Sequence, residues 1–469
     1  MPHFLKLSTQ IYPDGLPKPR RFYAALAILV TIMMAVLDGT IMNVALPTIA
    51  NDQGVSPAHA IWVVTAYQLS IVVALLPLSA LGEAIGFRKI NLVGVGLFGV
   101  ASALCAMAPN IEILTAARVL QGLGAAAIMS INPALMRHIF PQAKLGIAIG
   151  WIAMTVSVSA AAGPSIASAI LAVASWHWLF LINLPLSVLA IVIGYFNLPF
   201  TEPSRTRFDY VSAILNVLTF GGLIAALGNI GIDSDPRLVA AQFAISLMAG
   251  VFLARRQLTR SRPMLPLDLL KLPVFTCSIA SSIAGFCAMM IAFVTLPFYF
   301  HDVLGYSPTG TGLLMTPWPL AAAVIAPLAG KLADSYSPVR LTGIGMGLFA
   351  AGLYGITLST ELGGYSAMVI TLAICGAGFG LFQAPNNRLL LTSAPRDRSG
   401  GASGLLATAR LTGQSIGAAL AAILIGTSGS FDLQTILWVA SGSAVLATMI
   451  CEGRRHALRT GLIASPAGV

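Results

Sequence analysis

Three ionisable side chains stand deep inside long apolar stretches: Asp38, Arg118 and Arg410. A charge in such a stretch is costly unless paired or hydrated, so each is a functional candidate by default. Arginine keeps its charge, whereas a dehydrated carboxyl can move its pKa into the physiological range. Asp38 is therefore the group suited to carrying a proton, and Arg118 its fixed counter-charge. Asp38 lies nine residues before Pro47, and Arg118 nine residues after Pro109. At ~1.5 Å per residue both sit about 14 Å from the same end of their runs, so the spacing permits contact. Protonating Asp38 would weaken the pair, and a membrane potential adds about 2.3 kcal/mol per charge per 100 mV. The plainer alternative is a buried carboxylate that only ties its run to a neighbour.

The composition defines the elements that must hold these residues. The chain has 469 residues, 57% hydrophobic and only 9% charged. Soluble domains run nearer about 45–50% apolar and about 25% charged. The 16 acids and 26 Lys/Arg therefore cannot cover a water-soluble globule of this length. Apolar runs predict helices over 22–50, 58–84, 89–108, 111–138, 143–173, 176–199 and 209–231. They continue over 236–254, 274–301, 309–334, 340–360, 365–393, 401–428 and 432–453. About 20 apolar residues span a bilayer, so the expected fold class is an all-α membrane protein with fourteen transmembrane helices. Continuous runs exclude a membrane β-barrel, whose strands alternate. The net charge of +10 lies in short connections, which makes it a topology signal and argues against a nucleic-acid partner. Cys105, Cys277, Cys287, Cys375 and Cys451 form no CxxC and are expected as free core thiols, with no metal site. The first run is long enough to be a retained helix rather than a cleaved leader.

Charge asymmetry orients the helices. Every Lys and Arg except Arg118, Arg237 and Arg410 falls on the side of the N-terminus. The other side carries mainly acids: Asp52, Asp233, Asp235, Asp302, Glu361 and Asp432. Both termini are thus expected in the cytoplasm.

Shifting the chain by about 250 residues brings its ends into register. Leu46-Pro47 returns as Leu296-Pro297, and Gly54-x-Ser56-Pro57 as Gly305-x-Ser307-Pro308. Gly94-x-Gly96-Leu97-Phe98 returns as Gly345-x-Gly347-Leu348-Phe349. Lys144-x-Gly146-x-Ala148-x-Gly150 matches Arg398-x-Gly400-x-Ala402-x-Gly404. The expected organisation is an N-terminal segment (1–21), a six-helix bundle (22–199), an inserted helix pair with its flanking loops (200–273), a second six-helix bundle (274–453) and a tail (454–469). Two parallel halves with a site between them near the midplane are a secondary-transporter architecture. No lysine precedes Ser or Thr, so a P-loop is absent, and there is no HExxH. No enzyme activity or cofactor is expected; an ion gradient or the cargo's own gradient must drive movement.

The helix 1 sequence Leu37-Asp38-Gly39-Thr40-Ile41-Met42-Asn43-Val44-Ala45-Leu46-Pro47 resembles the major facilitator superfamily, specifically its fourteen-helix drug:proton antiporter branch. Trp62-x-x-Thr65-Ala66-Tyr67, Arg118-x-x-Gln121-Gly122-x-Gly124 and Trp176-His177-Trp178-Leu179-Phe180-Leu181-Ile182-Asn183-Leu184-Pro185 extend the resemblance along the chain. The antiporter motif is represented by Gly163-Pro164, with Ser159, Ala167 and Ser168 where glycines are usual. The resemblance implies export, with Asp38 and Arg118 as the proton-coupling pair. The loop motif after helix 2 is degraded: Glu83 replaces Asp and Ala84 replaces a basic residue, followed by Gly86, Arg88 and Lys89. Its second-half copy includes Gly330, Asp334 and Arg340. Such groups can latch helix ends into a cytoplasmic gate, or simply be solvated.

The candidate cargo contacts are Asn43, Tyr67, Gln68, Gln121, Asn132, Trp318, Gln383, Asn387, Arg410 and Gln414, each of which could equally serve as glue between helices. One negative charge against two positive within the membrane disfavours multivalent cations. Hydrophobic monocations, neutral compounds and anionic amphiphiles anchored on Arg410 remain open; alternatively Arg410 is an interhelical donor. The expected function is a monomeric, proton-coupled exporter of small hydrophobic or amphiphilic toxic compounds. The alternatives are a uniporter or symporter of a small organic anion, and, more distantly, a membrane sensor.

Overall fold

A computed structural model describes residues 15–460 apart from 142–143, 202–207, 231–234, 261–262, 264, 363, 396–397 and 428–431. Lys6, Arg205, Arg207, Asp233, Arg262 and Arg396, on which the orientation reading partly rests, lie outside the described residues, as do the side chains of Glu361 and Arg459. Fourteen helices among the described residues are long and apolar enough to cross a membrane. The first six are α1 (Lys18–Gln53), α2 (Pro57–Ile85), α3 (Phe87–Ala106), α4 (Ile111–Ile139), α5 (Ile147–Val173) and α6 (Trp178–Asn197). Next come α7 (Tyr210–Ile230) and α8 (Pro236–Thr259). The last six are α9 (Pro273–Val303), α10 (Pro308–Ser335), α11 (Pro338–Ser359), α12 (Tyr365–Ser393), α13 (Gly401–Gly426) and α14 (Leu433–Leu458).

The repeat has a physical cause at two places. Gly54 and Gly305 each end a helix at φ 63° and 69°, a left-handed conformation that glycine adopts without penalty. The following serines, Ser56 and Ser307, cap α2 and α10 by accepting from the His59 and Gly310 amides, with proline in the first turn. The second place is a helix crossing. A Cβ on Gly94 would lie 2.5 Å from Ala127 Cβ, and one on Gly124 2.7 Å from the Phe98 amide nitrogen. In the other half, a Cβ on Gly345 would lie 2.5 Å from the Phe382 nitrogen, and one on Gly378 2.4 Å from the Phe349 nitrogen. Bare backbones let α3 close on α4, and α11 on α12.

Within the first half α2 and α3 pack on α4, and α1 packs on α5 and α6; in the second, α10 and α11 pack on α12, and α9 on α13 and α14. The halves meet along α2–α13 and α5–α10, with α1 touching α9. The pair α7–α8 lies outside the two bundles, with α7 against both α2 and α13. Asn216 donates to the Val73 carbonyl at 2.8 Å, and Gly228 sits against the Trp62 ring, where a Cβ would clash at 2.2 Å.

Several ends differ from expectation. The helices α8 and α14 continue to Thr259 and Leu458, past the basic residues at which the apolar runs stop. Long cationic side chains extend from a buried stem, so a first arginine does not end a helix. Arg454, expected in a tail, is instead 1% exposed in α14 and donates to Ser278 Oγ (2.7 Å), Asn386 Oδ1 (3.3 Å) and Thr342 Oγ1 (2.6 Å). Helix α6 is broken at Ile182, and α7 contains a π-helical stretch, Val217–Gly221.

Asp209 caps α7 and ties it to α8. It accepts from the Ser212 amide and hydroxyl and pairs with Arg256 at 2.9 Å. Partial burial pushes this carboxyl up, but the hydrogen bonds from Arg256 and Ser212 outweigh that and hold it at about 2. A depressed carboxyl pKa stabilises above the unfolded value of 3.8 and loses that contribution as pH falls toward about 2. Amide protection at the start of α7, taken relative to the intrinsic exchange rate at each pH, is therefore expected to fall over that window in the native protein. In Asp209→Asn the protection should already be lower at neutral pH and show no such fall; equal protection profiles for the two proteins would refute the assignment.

Candidate functional site

Asp38 lies at mid-length of α1, 3% exposed, and Arg118 on α4 is fully buried. The two form an ion pair, Arg118 Nη1 to Asp38 Oδ2. The other carboxylate oxygen accepts from Gln121 Nε2 at 2.8 Å and Asn183 Nδ2 at 3.0 Å. Arg118 also donates to Gln121 Oε1 (2.6 Å) and the Val63 carbonyl (3.0 Å), leaving Nη2 buried and unpartnered among the described residues. Its guanidinium stacks over Tyr67 at 4.1 Å and lies 5.7 Å from Phe180. The Tyr67 hydroxyl donates to the Ala35 carbonyl at 2.9 Å, one turn before Asp38. A buried pair of this kind is tolerated because nearly every lone pair and proton has a partner; removing one member leaves an uncompensated charge.

Between the halves is a central cavity of about 230 Å³, walled by α1, α2, α4 and α5 on one side and α9, α10, α12 and α13 on the other. Of the expected contacts, Asn43, Tyr67, Gln68, Trp318, Gln383, Arg410 and Gln414 line it. Gln121, Asn132 and Asn387 do not. Gln121 is turned to the ion pair, and also donates to Ser102 Oγ at 2.8 Å. Asn132 bridges Thr31 and Asn91, at 3.1 and 2.8 Å. At Asn387 the buried polar contacts belong to its neighbour Asn386, which bonds Ser278 and Ser282. Asp38 is not on the wall either: Gly39 and Tyr67 are, so the aromatic ring stands between the cavity and the guanidinium.

A second cavity of about 450 Å³ lies at the ends of α2 and α4 on the N-terminal side, lined by Glu83, Arg137, Asp209, Arg260 and Gly404 among others. Met129 borders both. On the far side the α5–α10 seam is shut: Ser165 and Thr316 hydroxyls are 3.0 Å apart, and a Cβ on Gly312 would overlap Ser168. Gly163 sits against Thr40, with Pro164 accepting from Ser168 at 2.9 Å, so the Gly-Pro pair joins α5 closely to α1.

Of the expected gate residues, Asp334 pairs with Arg388 at 2.5 Å within the second half, a partner that sequence reasoning missed. Arg88 turns to the Tyr195 carbonyl on α6. Gly86 supplies a turn at φ 103°. Glu83, Lys89 and Arg340 are exposed, Gly330 has open space around it, and none of the seven bridges the halves among the described residues. Asn183 and Phe180, also missed, belong to the one aromatic-and-amide motif at the start of α6.

Paired helical halves around a central cavity, with a sealed carboxylate–guanidinium pair beside it, define a membrane carrier. The sequence pattern described as Major Facilitator Superfamily matches residues 28–418, and the chain belongs to that superfamily as a multi-pass membrane transport protein rather than an enzyme. It is 48% identical over 443 residues to the uncharacterized transporter YebQ of Escherichia coli (strain K12), covering 94% of this chain and 97% of that one. It is 31% identical over 416 residues to the multidrug efflux pump LfrA of Mycolicibacterium smegmatis, covering 87% and 81%. Over 402 residues it is 28% identical to the riboflavin transporter RibZ of Clostridioides difficile, covering 85% and 87%.

Proposed function

We propose that the protein is a monomeric, proton-coupled exporter of hydrophobic or amphiphilic compounds, working by alternating access in a bacterial inner membrane with both termini cytoplasmic. The observation that carries this reading is the separation of two adjoining compartments. Asp38 is held out of the cavity by Tyr67, so proton and cargo occupy different places that share one ring. Protonation of Asp38 releases Arg118, and the aromatic wall moves with it; cargo pressing on Tyr67 acts in reverse. The superfamily membership supports a rocking cycle, and the likeness to a named efflux pump supports export of apolar cargo. Gly163-Pro164 at the α1–α5 contact supports antiport.

A second reading, facilitated or symported passage of a small organic anion or metabolite, is favoured by Arg410 in the cavity wall and by the likeness to a named riboflavin transporter. Proteoliposomes with an imposed pH gradient separate the two. Antiport predicts that fluorescent amphiphiles leave the compartment toward which protons flow, and that an ionophore stops them. Movement in the direction of the protons, or independent of the gradient, would replace the first reading by the second.

A further inference from the structure

The central cavity is bordered by one charged side chain among the described residues, Arg410 on α13. Its Nε is buried without a hydrogen-bond partner, no carboxylate pairs with it among the described residues, and its contact is the Phe286 ring at 5.9 Å. The carboxylate that could have competed for an arriving cation is already engaged, because both oxygens of Asp38 are taken by Arg118, Gln121 and Asn183. Gln414, one turn further along α13, shares the face of Arg410, and Gln383 joins them on the wall. The rest of the second-half wall is aromatic: Phe286 meets Phe379 edge-on at 5.0 Å, and Phe293 meets Trp318 at 4.8 Å. Across the cavity, Asn43 Oδ1 and Gln68 Oε1 are buried acceptors with no donor.

A lone guanidinium in an apolar enclosure is disfavoured until an anion arrives, and planar oxyanions match its fork of donors. We propose that this cavity takes an aromatic monoanion, its carboxylate or sulfonate paired with Arg410 and its ring among Phe286, Phe293, Trp318 and Phe379. A donor at the opposite end of such a molecule would meet Asn43 and Gln68. This rests on the transport reading for its biological sense, but the binding chemistry stands on the cavity alone.

The test is calorimetric titration of the full-length protein in nanodiscs with three ligands of one shape: 2-naphthoate, 2-naphthamide and 2-naphthylmethylammonium. The naphthoate is expected to bind about tenfold or more tightly than the amide, with the ammonium weakest. Arg410→Gln should bring naphthoate to the level of the amide while the amide changes by less than about twofold. Should that variant lose both ligands through misfolding, Arg410→Lys decides: a retained preference for naphthoate over the amide supports the assignment, and a lost preference overturns it. Equal affinity for all three ligands, a preference for the ammonium, or indifference of naphthoate to Arg410→Gln also overturns it. Flux under a pH gradient, read on the same wild-type protein, keeps the two ideas apart. Anion preference without gradient-driven movement removes the coupling and leaves the binding assignment, whereas gradient-driven movement without anion preference does the opposite.

Discussion

Replacing Asp38 by Asn is expected to abolish movement of cargo driven by a pH gradient and to destabilise the protein by about 3–5 kcal/mol. The loss of coupling follows because Asn binds no proton in the relevant range, so the pair with Arg118 can no longer open and close. The instability has a separate origin. Arg118 stays charged and fully buried with Nη2 already unpartnered, and a carboxamide offers one acceptor oxygen and no charge where the carboxylate offered two oxygens to Arg118, Gln121 and Asn183. Adding Arg118→Gln to Asp38→Asn removes the orphaned charge and is expected to restore much of the thermal stability without restoring transport. Differential scanning fluorimetry in detergent reads the first effect, and a pH-sensitive dye trapped in proteoliposomes reads the second. Sustained gradient-driven accumulation in the Asp38→Asn protein would end the proposed coupling mechanism.

The second large effect is expected at Gly376. A Cβ there would lie 2.0 Å from the Trp318 carbonyl oxygen, an atom of backbone that cannot rotate away. Gly376→Ala therefore has to push α12 off α10, with loss of folding or a destabilisation of about 1–3 kcal/mol or more. Because Trp318 lines the cavity, ligand binding should weaken along with the melting temperature. Gly442 in α14 is the control, since a Cβ there would touch nothing within 4 Å. There, alanine's better helix propensity predicts a neutral or slightly stabilising change, up to about 1 kcal/mol. Equal melting temperatures for Gly376→Ala and wild type would contradict the close packing of these two helices.

Much of this was readable from residue order because hydrophobic length and depth are one-dimensional quantities. The number of helices follows from counting along the chain, and so does the equal depth of Asp38 and Arg118, which permits the contact the structure shows. What counting does not supply is azimuth. Each residue turns about 100° around its helix, so depth alone points to Asn387 where Asn386 holds the buried contacts. Gln121, three residues after Arg118, shares its face and therefore meets Asp38 instead of the cavity. Asn183 depends on how α6 leans on α1, which no spacing reveals. Arg454 was hidden for a different reason: charge ends an apolar run, but two hydroxyls and an amide oxygen on three other helices can receive a guanidinium.

The inserted pair α7–α8 gives the molecule two unlike flanks. On one, α7 straddles the line where α2 meets α13. On the other, the α5–α10 line has no such cover among the described residues, and it is bordered by outward-facing Met154, Val158, Leu320 and Val324. In the proposed rocking cycle, the α2–α13 line therefore slides under a covering helix, whereas the α5–α10 line moves directly against the surrounding bilayer.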